Sequence, residues 1–146
     1  MICYFDTSFL LSAVLEQHPE VDYDVIWQNA TEKLSSHLIK IESAIALRRA
    51  AAGFSVNPQR WAKRKLTELG PFLNAITCKF IDESIEDIIL NKIELAQCRC
   101  LDAIHLSTAL YFQSYLRETL FLCTLDKRMR EIAGTLDFSV LPEKLD

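Results

Sequence analysis

Glycine is scarce in this chain, which has three glycines among 146 residues. Gly53, Gly70 and Gly134 stand far apart, so none belongs to a phosphate-binding loop of the P-loop or dinucleotide type. No serine lies in the glycine-flanked turn that presents the nucleophile of α/β-hydrolases. Nucleotide-binding and serine-hydrolase chemistry therefore fit this sequence poorly.

Long apolar runs are absent as well. The longest ones fall well short of the roughly 18 residues that a membrane helix needs, and no basic and apolar leader opens the chain. Half of the residues are hydrophobic and a quarter are charged, as in ordinary globular proteins. We expect one domain over residues 1–146, located in the cytoplasm and without a membrane partner.

The chain has five cysteines, an odd number. Cys3, Cys78 and Cys123 lie within apolar runs, where cysteine acts as a small hydrophobic residue, and a disulfide framework is not expected. The spacing of Cys98 and Cys100 does not match a zinc knuckle, and no partner pair exists. Structural zinc is therefore not expected.

Short apolar segments alternate with helical patterns along the chain. The predicted strands are residues 2–5, 33–36, 75–81, 119–125 and 138–141. The predicted helices are residues 7–16, 23–31, 38–52, 58–70, 101–112 and 126–133, with a further helix opening at Ser84. Parallel neighbours need crossover connections, so this order predicts an α/β fold of three layers, α/β/α, with a mainly parallel central sheet.

Several helix ends have signals of their own. Gly53 stands where a left-handed residue that terminates a helix is expected, and Gly134 is predicted to end the helix before it. Asn57 and Pro58 are predicted to form an N-cap and a first turn, and Gly70-Pro71 to close that helix. The pattern Ser84-Ile85-Glu86-Asp87 resembles a capping box.

Two aspartates share one context. Asp6 follows the apolar strand Ile2-Cys3-Tyr4-Phe5, Asp126 follows the apolar stretch 119–125, and each precedes a predicted helix. Ligands of open α/β sheets bind beyond the carboxyl ends of the strands. If the two strands are parallel, both carboxylates lie at one binding edge.

Two further acids stand among apolar neighbours. Glu42 lies on a helical stripe formed by Leu38, Ile39, Ile45 and Ala46, and Asp102 lies within Leu101-Asp102-Ala103-Ile104. A charge on such a face is seldom buried without a partner, and the partner can be a metal ion. His105, one turn after Asp102, is interpreted as a packing or hydrogen-bonding residue rather than a base.

Helix capping is the alternative explanation for three of these acids. Asp6, Asp102 and Asp126 all lie near predicted helix starts, where aspartate caps the helix and interacts with its dipole. Capping does not explain Glu42 or the recurrence of acids at one edge. Carboxylates held close together raise one another's pKa unless a divalent cation neutralises them, and oxygen-only ligands suit Mg²⁺ or Mn²⁺.

The net charge of −4 is unevenly distributed. Between Arg48 and Lys65 the chain has six basic residues and no acid. This stretch is either a solvated helical face or a docking surface for phosphates.

Four blocks in this order carry a resemblance to a known family. They are Tyr4-Phe5-Asp6-Thr7-Ser8-Phe9-Leu10, Ser36 with Ile41-Glu42-Ser43-Ala44 and Leu47-Arg48-Arg49, Leu101-Asp102-Ala103-Ile104-His105-Leu106-Ser107-Thr108-Ala109-Leu110, and Cys123-Thr124-Leu125-Asp126. Over nearly its whole length the chain resembles the PIN domains, and among them the VapC-type toxins of bacterial and archaeal toxin–antitoxin pairs.

The resemblance implies a ribonuclease that hydrolyses RNA phosphodiester bonds at a cluster of acids, with Mg²⁺ or Mn²⁺ as its cofactor. The implied metal ligands and catalytic residues are Asp6, Glu42, Asp102 and Asp126, with Thr7, Ser8 and Thr124 orienting carboxylates or water. It also implies a homodimer that is silenced by a cognate antitoxin. The RNA backbone would be held by Arg48, Arg49, Arg60, Lys63, Arg64, Lys65, Lys127, Arg128 and Arg130.

Two other functions remain open. One is a non-catalytic member of the same fold that binds protein or RNA and whose acids only cap helices. The other is a housekeeping nuclease that processes RNA or acts on DNA. A small antitoxin gene immediately upstream would favour the toxin, and its absence would favour processing.

Overall fold

The protein is built on a five-stranded parallel sheet with helices on both faces. The computed structural model describes residues 1–54 and 56–145; Ser55 and Asp146, which the predicted domain includes, lie outside this range. The strands are β1 (Ile2–Phe5), β2 (Glu32–Ser36), β3 (Thr77–Lys79), β4 (Leu120–Cys123) and β5 (Ser139–Leu141). The helices are α1 (Thr7–Val14), α2 (Tyr23–Asn29), α3 (Leu38–Phe54), α4 (Pro58–Asn74), α5 (Glu83–Asn91), α6 (Cys100–Tyr115) and α7 (Lys127–Thr135), and a 3₁₀ helix covers Ile93–Gln97.

The order of the strands in the sheet is β3-β2-β1-β4-β5, and each neighbouring pair is parallel. The chain builds outward from β1 to β3 and then returns to place β4 on the other side of β1. The strand order therefore reverses between β1 and β4, where open α/β sheets bind their ligands. Because all strands are parallel, their carboxyl ends lie at the same edge of the sheet, which we call the carboxyl edge.

Side chains of β1 alternate between two cores, as the pleat of a strand requires. Cys3 and Phe5 pack in the core that contains residues of α1, α2, α3 and α4. Ile2 and Tyr4 pack in the core that contains residues of α5, α6 and α7. The predicted three-layer α/β/α arrangement is confirmed.

Helix α4 extends further than predicted. It passes through Gly70 and Pro71 and ends at Asn74, so the prediction that Gly70-Pro71 closes this helix is wrong. Leu69 is buried and Leu73 packs against the same core, and this burial offsets the hydrogen bond that a proline cannot donate. Strand β3 is shorter at both ends than the predicted 75–81 and covers Thr77–Lys79.

Gly53 and Gly134 do not end their helices. Helix α3 continues to Phe54 and α7 to Thr135, and neither glycine has a positive φ. Asp137, with φ of 62°, takes the left-handed conformation after α7. Helix α5 is also capped differently, because Asp82 rather than Ser84 accepts a backbone N–H of its first turn, that of Ser84, at 3.1 Å.

All five cysteine thiols are free. None of the helices in the described ranges has the length and apolar character needed to cross a membrane.

The substitution Gly134→Ala is expected to stabilise the protein by about 0.5–1 kcal/mol, because a glycine inside a helix loses more conformational entropy on folding than alanine does. A Cβ atom at this position meets no other atom within 4 Å. Urea denaturation measures the difference. Asp137→Ala is the control at a left-handed position and is expected to lose stability. A destabilised Gly134→Ala would show that this position needs glycine.

Candidate active site

Asp6 caps α1 at the carboxyl end of the central strand β1. Its side chain is buried, with 3% of the residue exposed. Oδ1 accepts hydrogen bonds from the Ser8 hydroxyl at 2.7 Å and the Phe9 backbone N–H at 3.1 Å, and Oδ2 accepts one from the Thr124 hydroxyl at 2.8 Å. These three donors hold the carboxylate in one orientation.

Burial raises the pKa of Asp6 above its ordinary value. His105 and the hydrogen bonds from Ser8, Thr124 and Phe9 lower it, but they offset only part of the effect of burial. Keeping Asp6 ionised in the folded protein therefore costs free energy, and a nearby cation would reduce that free-energy cost.

The turn after β4 is fastened to the start of α1. Cys123 pairs with Phe5 in the sheet, so Thr124 and Asp6 leave neighbouring strands side by side. The Ser8 hydroxyl accepts the Leu125 N–H at 2.9 Å, and the Thr124 hydroxyl accepts the Asp126 N–H at 3.2 Å. Ser8 and Thr124 thus connect Asp6 with the chain segment that carries Asp126.

Asp126 caps α7, since its Oδ1 accepts the Met129 backbone N–H at 2.9 Å. The capping explanation is confirmed for Asp6 and Asp126. Asp102 does not cap α6, because Arg99 occupies the N-cap position without a side-chain hydrogen bond. Asp102 lies in the first turn of α6, where a carboxylate interacts favourably with the helix dipole as expected.

Glu42 has two protein partners at one oxygen. Its Oε1 accepts a hydrogen bond from the Thr7 hydroxyl at 2.7 Å and lies 2.6 Å from His105 Nε2. Burial acts to raise the pKa of Glu42, but its interaction with His105 and the hydrogen bond from Thr7 outweigh burial, and the pKa is lowered. The partner that an acid on an apolar stripe requires is therefore His105 together with Thr7.

Asp102 shares an electrostatic environment with two other acids. Burial raises its pKa, the negative charge of Asp126 raises it further, and Glu42 adds a smaller contribution. Arg99 and His105 oppose these effects without cancelling them. Acids from α3, from α6 and from the start of α7 thus act on one another across the edge of the sheet.

The chemistry of this edge fits a hydrated magnesium-type ion better than a preformed cage. Among the residues that the structure describes, no three His, Cys, Asp or Glu side chains are arranged to hold a metal ion. Mg²⁺ typically binds through one or two carboxylates and completes its shell with water and substrate phosphate. The donors here are all oxygens, and Asp6 and Asp102 both have raised pKa values. The four-acid ligand set stays a prediction.

One residue of this edge, Tyr4, was not predicted from the sequence. The Tyr4 hydroxyl lies 2.8 Å from His105 Nδ1, and it accepts the backbone N–H of Ser36 at 3.0 Å. A tyrosine in an otherwise apolar strand was the available signal, because a buried hydroxyl needs a partner. The partner itself stands 101 positions away. The interpretation of His105 as a hydrogen-bonding residue agrees with these contacts.

The predicted phosphate-binding residues lie in two places. We call the group on α3 and α4 the α3–α4 basic surface; it comprises Arg48, Arg49, Arg60, Lys63, Arg64 and Lys65. All of these except the half-buried Lys65 are exposed. Glu68 pairs with Arg64 at 3.9 Å and with Lys65 at 3.1 Å.

The basic residues beside Asp126 have different surroundings. Lys127 is exposed, whereas Arg128 donates to the Gln97 carbonyl at 2.8 Å. Arg130 donates to the Thr124 carbonyl at 2.9 Å and the Pro142 carbonyl at 2.6 Å. Arg130 therefore fastens the turn after β4 to the C-terminal segment.

Two comparisons with known proteins give similarities. A family model described as PIN domain matches residues 3–135. Among solved structures, a chain of VapBC2 from Rickettsia felis bound to a DNA fragment from their promoter is similar, with a TM-score of 0.63 and 16% sequence identity. The alignment covers 96% of this chain and 97% of that chain. At this identity the likeness shows a shared fold. No curated protein matches the chain.

In metal-free protein, Asp6→Asn is expected to be at least as stable as the wild type at pH 7. A raised folded-state pKa means that the ionised carboxylate opposes folding above that pKa, and asparagine caps helices as well as aspartate does. The difference should disappear as the pH falls through the raised pKa toward the ordinary value of 3.8. Denaturant titrations in EDTA at several pH values measure it.

Asp6→Ala is the control for this measurement. It removes the charge and the cap together, so it should be about 1 kcal/mol less stable than Asp6→Asn. If Asp6→Asn were markedly less stable than the wild type at pH 7, the ionised carboxylate would be stabilising the fold.

Proposed function

Because the chain belongs to the PIN domain family, whose members are generally nucleases, we propose that it is a metal-dependent ribonuclease and the toxin of a toxin–antitoxin pair. The observation that carries this proposal is the electrostatic crowding at the carboxyl edge of the sheet. There burial raises the pKa of Asp6, and burial together with Asp126 and Glu42 raises that of Asp102. Such an arrangement suits a divalent cation and a phosphodiester substrate.

Asp6, Glu42, Asp102 and Asp126 would hold Mg²⁺ or Mn²⁺ directly or through water. When bound, such an ion lowers the pKa of a water nucleophile and neutralises charge at the phosphate. The protein's own contribution is orientation. Ser8 and Thr124 fix Asp6, and Thr7 with His105 fixes Glu42, so two carboxylates are positioned before substrate arrives.

The α3–α4 basic surface is the proposed contact for the RNA backbone. A chain of net charge −4 needs a local basic region to hold a polyanion, and phosphate contacts give affinity without sequence choice. Within this surface Arg48 and Lys63 line one pocket between α3 and α4. Lys127 can add a contact beside Asp126. The Arg128 side chain is less available to RNA because it already donates a hydrogen bond to the Gln97 carbonyl.

A groove between α1, α2 and α4 is the proposed binding site of an antitoxin. It has a volume of about 670 Å³ between α1, α2 and α4, and its apolar lining includes Phe9, Trp27 and Phe72. Five acids line it as well, namely Glu16, Glu20, Asp22, Asp24 and Glu68. An antitoxin segment with apolar anchors and basic flanks would fit. A small antitoxin gene immediately upstream would support the toxin role, and its absence would favour RNA processing.

One observation favours the non-catalytic alternative. Asp6 and Asp126 both cap helices, so the fold has a use for them without catalysis. Capping leaves Glu42 and Asp102 unexplained. A direct assay of cleavage separates the two functions.

Cleavage of a mixed pool of structured RNAs is expected to require Mg²⁺ or Mn²⁺ and to stop in EDTA. Asp6→Asn should reduce the rate by more than about 100-fold, since a lost ligand costs more than a lost neighbour of a ligand. Asp87→Asn makes the same change at an exposed site on α5 and should cleave normally. Unchanged turnover in Asp6→Asn would contradict the site, and absence of both cleavage and Mn²⁺ binding would favour the binding module.

We also propose that α3 forms a homodimer contact. Ile41 and Ile45 lie one turn apart on α3 with 51% and 46% of their surfaces exposed, and Phe80, 67% exposed, stacks on His37 one turn earlier. An apolar strip of this kind is typical of an interaction surface.

Light scattering of the purified chain is expected to give the mass of a dimer. The double variant Ile41→Glu, Ile45→Glu should give that of a monomer, because burying two negative charges without a cationic partner is strongly unfavourable. Ile93→Glu, at a residue 85% exposed outside α3, is the control and should remain dimeric. A monomeric wild type would contradict the proposal.

A further inference from the structure

His105 is almost completely buried, with 2% of the residue exposed, yet both of its ring nitrogens have polar partners. Nδ1 lies 2.8 Å from the Tyr4 hydroxyl, and Nε2 lies 2.6 Å from Glu42 Oε1. Tyr4 is itself fully buried on β1. A continuous chain of hydrogen bonds therefore runs from the middle of the sheet to a carboxylate at its edge.

The direction of these bonds follows from the donors available. A tyrosine hydroxyl has one proton to donate, and the Tyr4 oxygen already accepts the N–H of Ser36 at 3.0 Å. A ring nitrogen that lies 2.6 Å from a carboxylate oxygen has to donate a proton to it, so Nε2 is protonated. In the neutral ring Nδ1 is then the acceptor, and it takes the proton of the Tyr4 hydroxyl. The proton of the neutral imidazole is thereby assigned to Nε2, from which it is donated to Glu42.

This bond joins the two helical layers of the protein. His105 belongs to α6, which packs on the face of the sheet that carries Tyr4. Glu42 belongs to α3, which packs on the opposite face. The His105 imidazole therefore binds Glu42, which belongs to the helical layer on the other face of the sheet, beyond the carboxyl end of β1.

The contacts also distinguish the two oxygens of Glu42. Oε1 receives both the His105 and the Thr7 hydrogen bonds. Oε2 makes no hydrogen bond or ion pair with the residues that the structure describes. One oxygen is therefore committed to the protein, and the other is available to a cation or to water.

We propose that His105 is a positioning residue, which through Tyr4 is held as the Nε2–H tautomer and fixes Glu42 so that Oε2 is presented to the acidic edge. This inference rests on the proposed metal-dependent function. His105 acts by holding the Glu42 side chain in place through a hydrogen bond, and it does not contact the substrate. Loss of such an outer partner typically weakens metal affinity about 10- to 100-fold.

Two amide substitutions differ in which partner they can serve. In His105→Gln the amide nitrogen stands near the position of Nε2 and can still donate to Glu42. In His105→Asn the shorter side chain places its amide near Nδ1, within reach of Tyr4 but not of Glu42. Both replace the imidazole by the same chemical group, so a general loss of packing affects both.

Mn²⁺ affinity of the purified chain, measured from the electron spin resonance signal of free Mn²⁺, is the main readout. We expect His105→Asn to bind Mn²⁺ about 10- to 100-fold more weakly than the wild type, and His105→Gln to recover most of that loss. Thermal unfolding in EDTA checks that both variants fold. Equal affinity in all three proteins, or equal losses in the two variants, would overturn the proposal.

A second measurement does not depend on those variants. In metal-free wild type, ¹⁵N nuclear magnetic resonance of His105 should show an unprotonated Nδ1 and a protonated Nε2. The Nε2–H resonance should move upfield in Glu42→Gln, where the carboxylate acceptor is lost. The opposite tautomer, or a resonance unaffected by Glu42→Gln, would overturn the proposal.

The two proposals fail in different ways. A wild type that binds no Mn²⁺ and cleaves no RNA would remove the proposed function and this inference with it. A wild type that binds Mn²⁺ and cleaves RNA, with His105→Asn unchanged in both respects, would overturn the role of His105 alone.

Discussion

The structure at the carboxyl edge of the sheet depends on the hydrogen bonds that replace water around one buried carboxylate, that of Asp6. Asp6 is buried at the end of the central strand, and burial of an unpartnered charge would cost several kcal/mol. Its partners come from two places, Ser8 and Phe9 on α1 and Thr124 after β4. The residues that solvate Asp6 therefore also fasten α1 to the turn that carries Asp126, so folding and site geometry have one cause.

A second connection crosses the same edge between the helical layers. Tyr4 and His105 lie on one face of the sheet, and Glu42 lies on the other, reached only past the end of β1. Helices on opposite faces of a sheet are normally separated by the sheet itself, about 10 Å for each packed layer. At the edge this separation ends, and side chains from α3 and α6 meet.

The charge distribution divides the molecule into unlike regions. Burial and the repulsion of Asp126 and Glu42 raise the pKa of Asp102, whereas the α3–α4 basic surface presents five exposed cationic side chains on two helices. A polyanion would be attracted to the second region and repelled by the first unless a cation intervenes. Under the proposed function, substrate affinity and cleavage would therefore belong to separate surfaces, and a divalent ion would let both act on one molecule of RNA.

Much of this arrangement follows from local patterns in the chain. An apolar run followed by Asp6 and a helix predicts an acid at a sheet edge, because alternation of strand and helix forces parallel pairing. Local signals failed where packing overrode them. Helix α4 continues past Gly70 and Pro71, and Leu73 in this continuation packs against the core. Helices α3 and α7 likewise extend beyond Gly53 and Gly134. The hydrogen-bonded pairs Tyr4–His105, His105–Glu42 and Asp6–Thr124 depend on the placement of β1 between β2 and β4. No periodicity along the chain encodes that order, because it arises from how all the apolar faces are buried together.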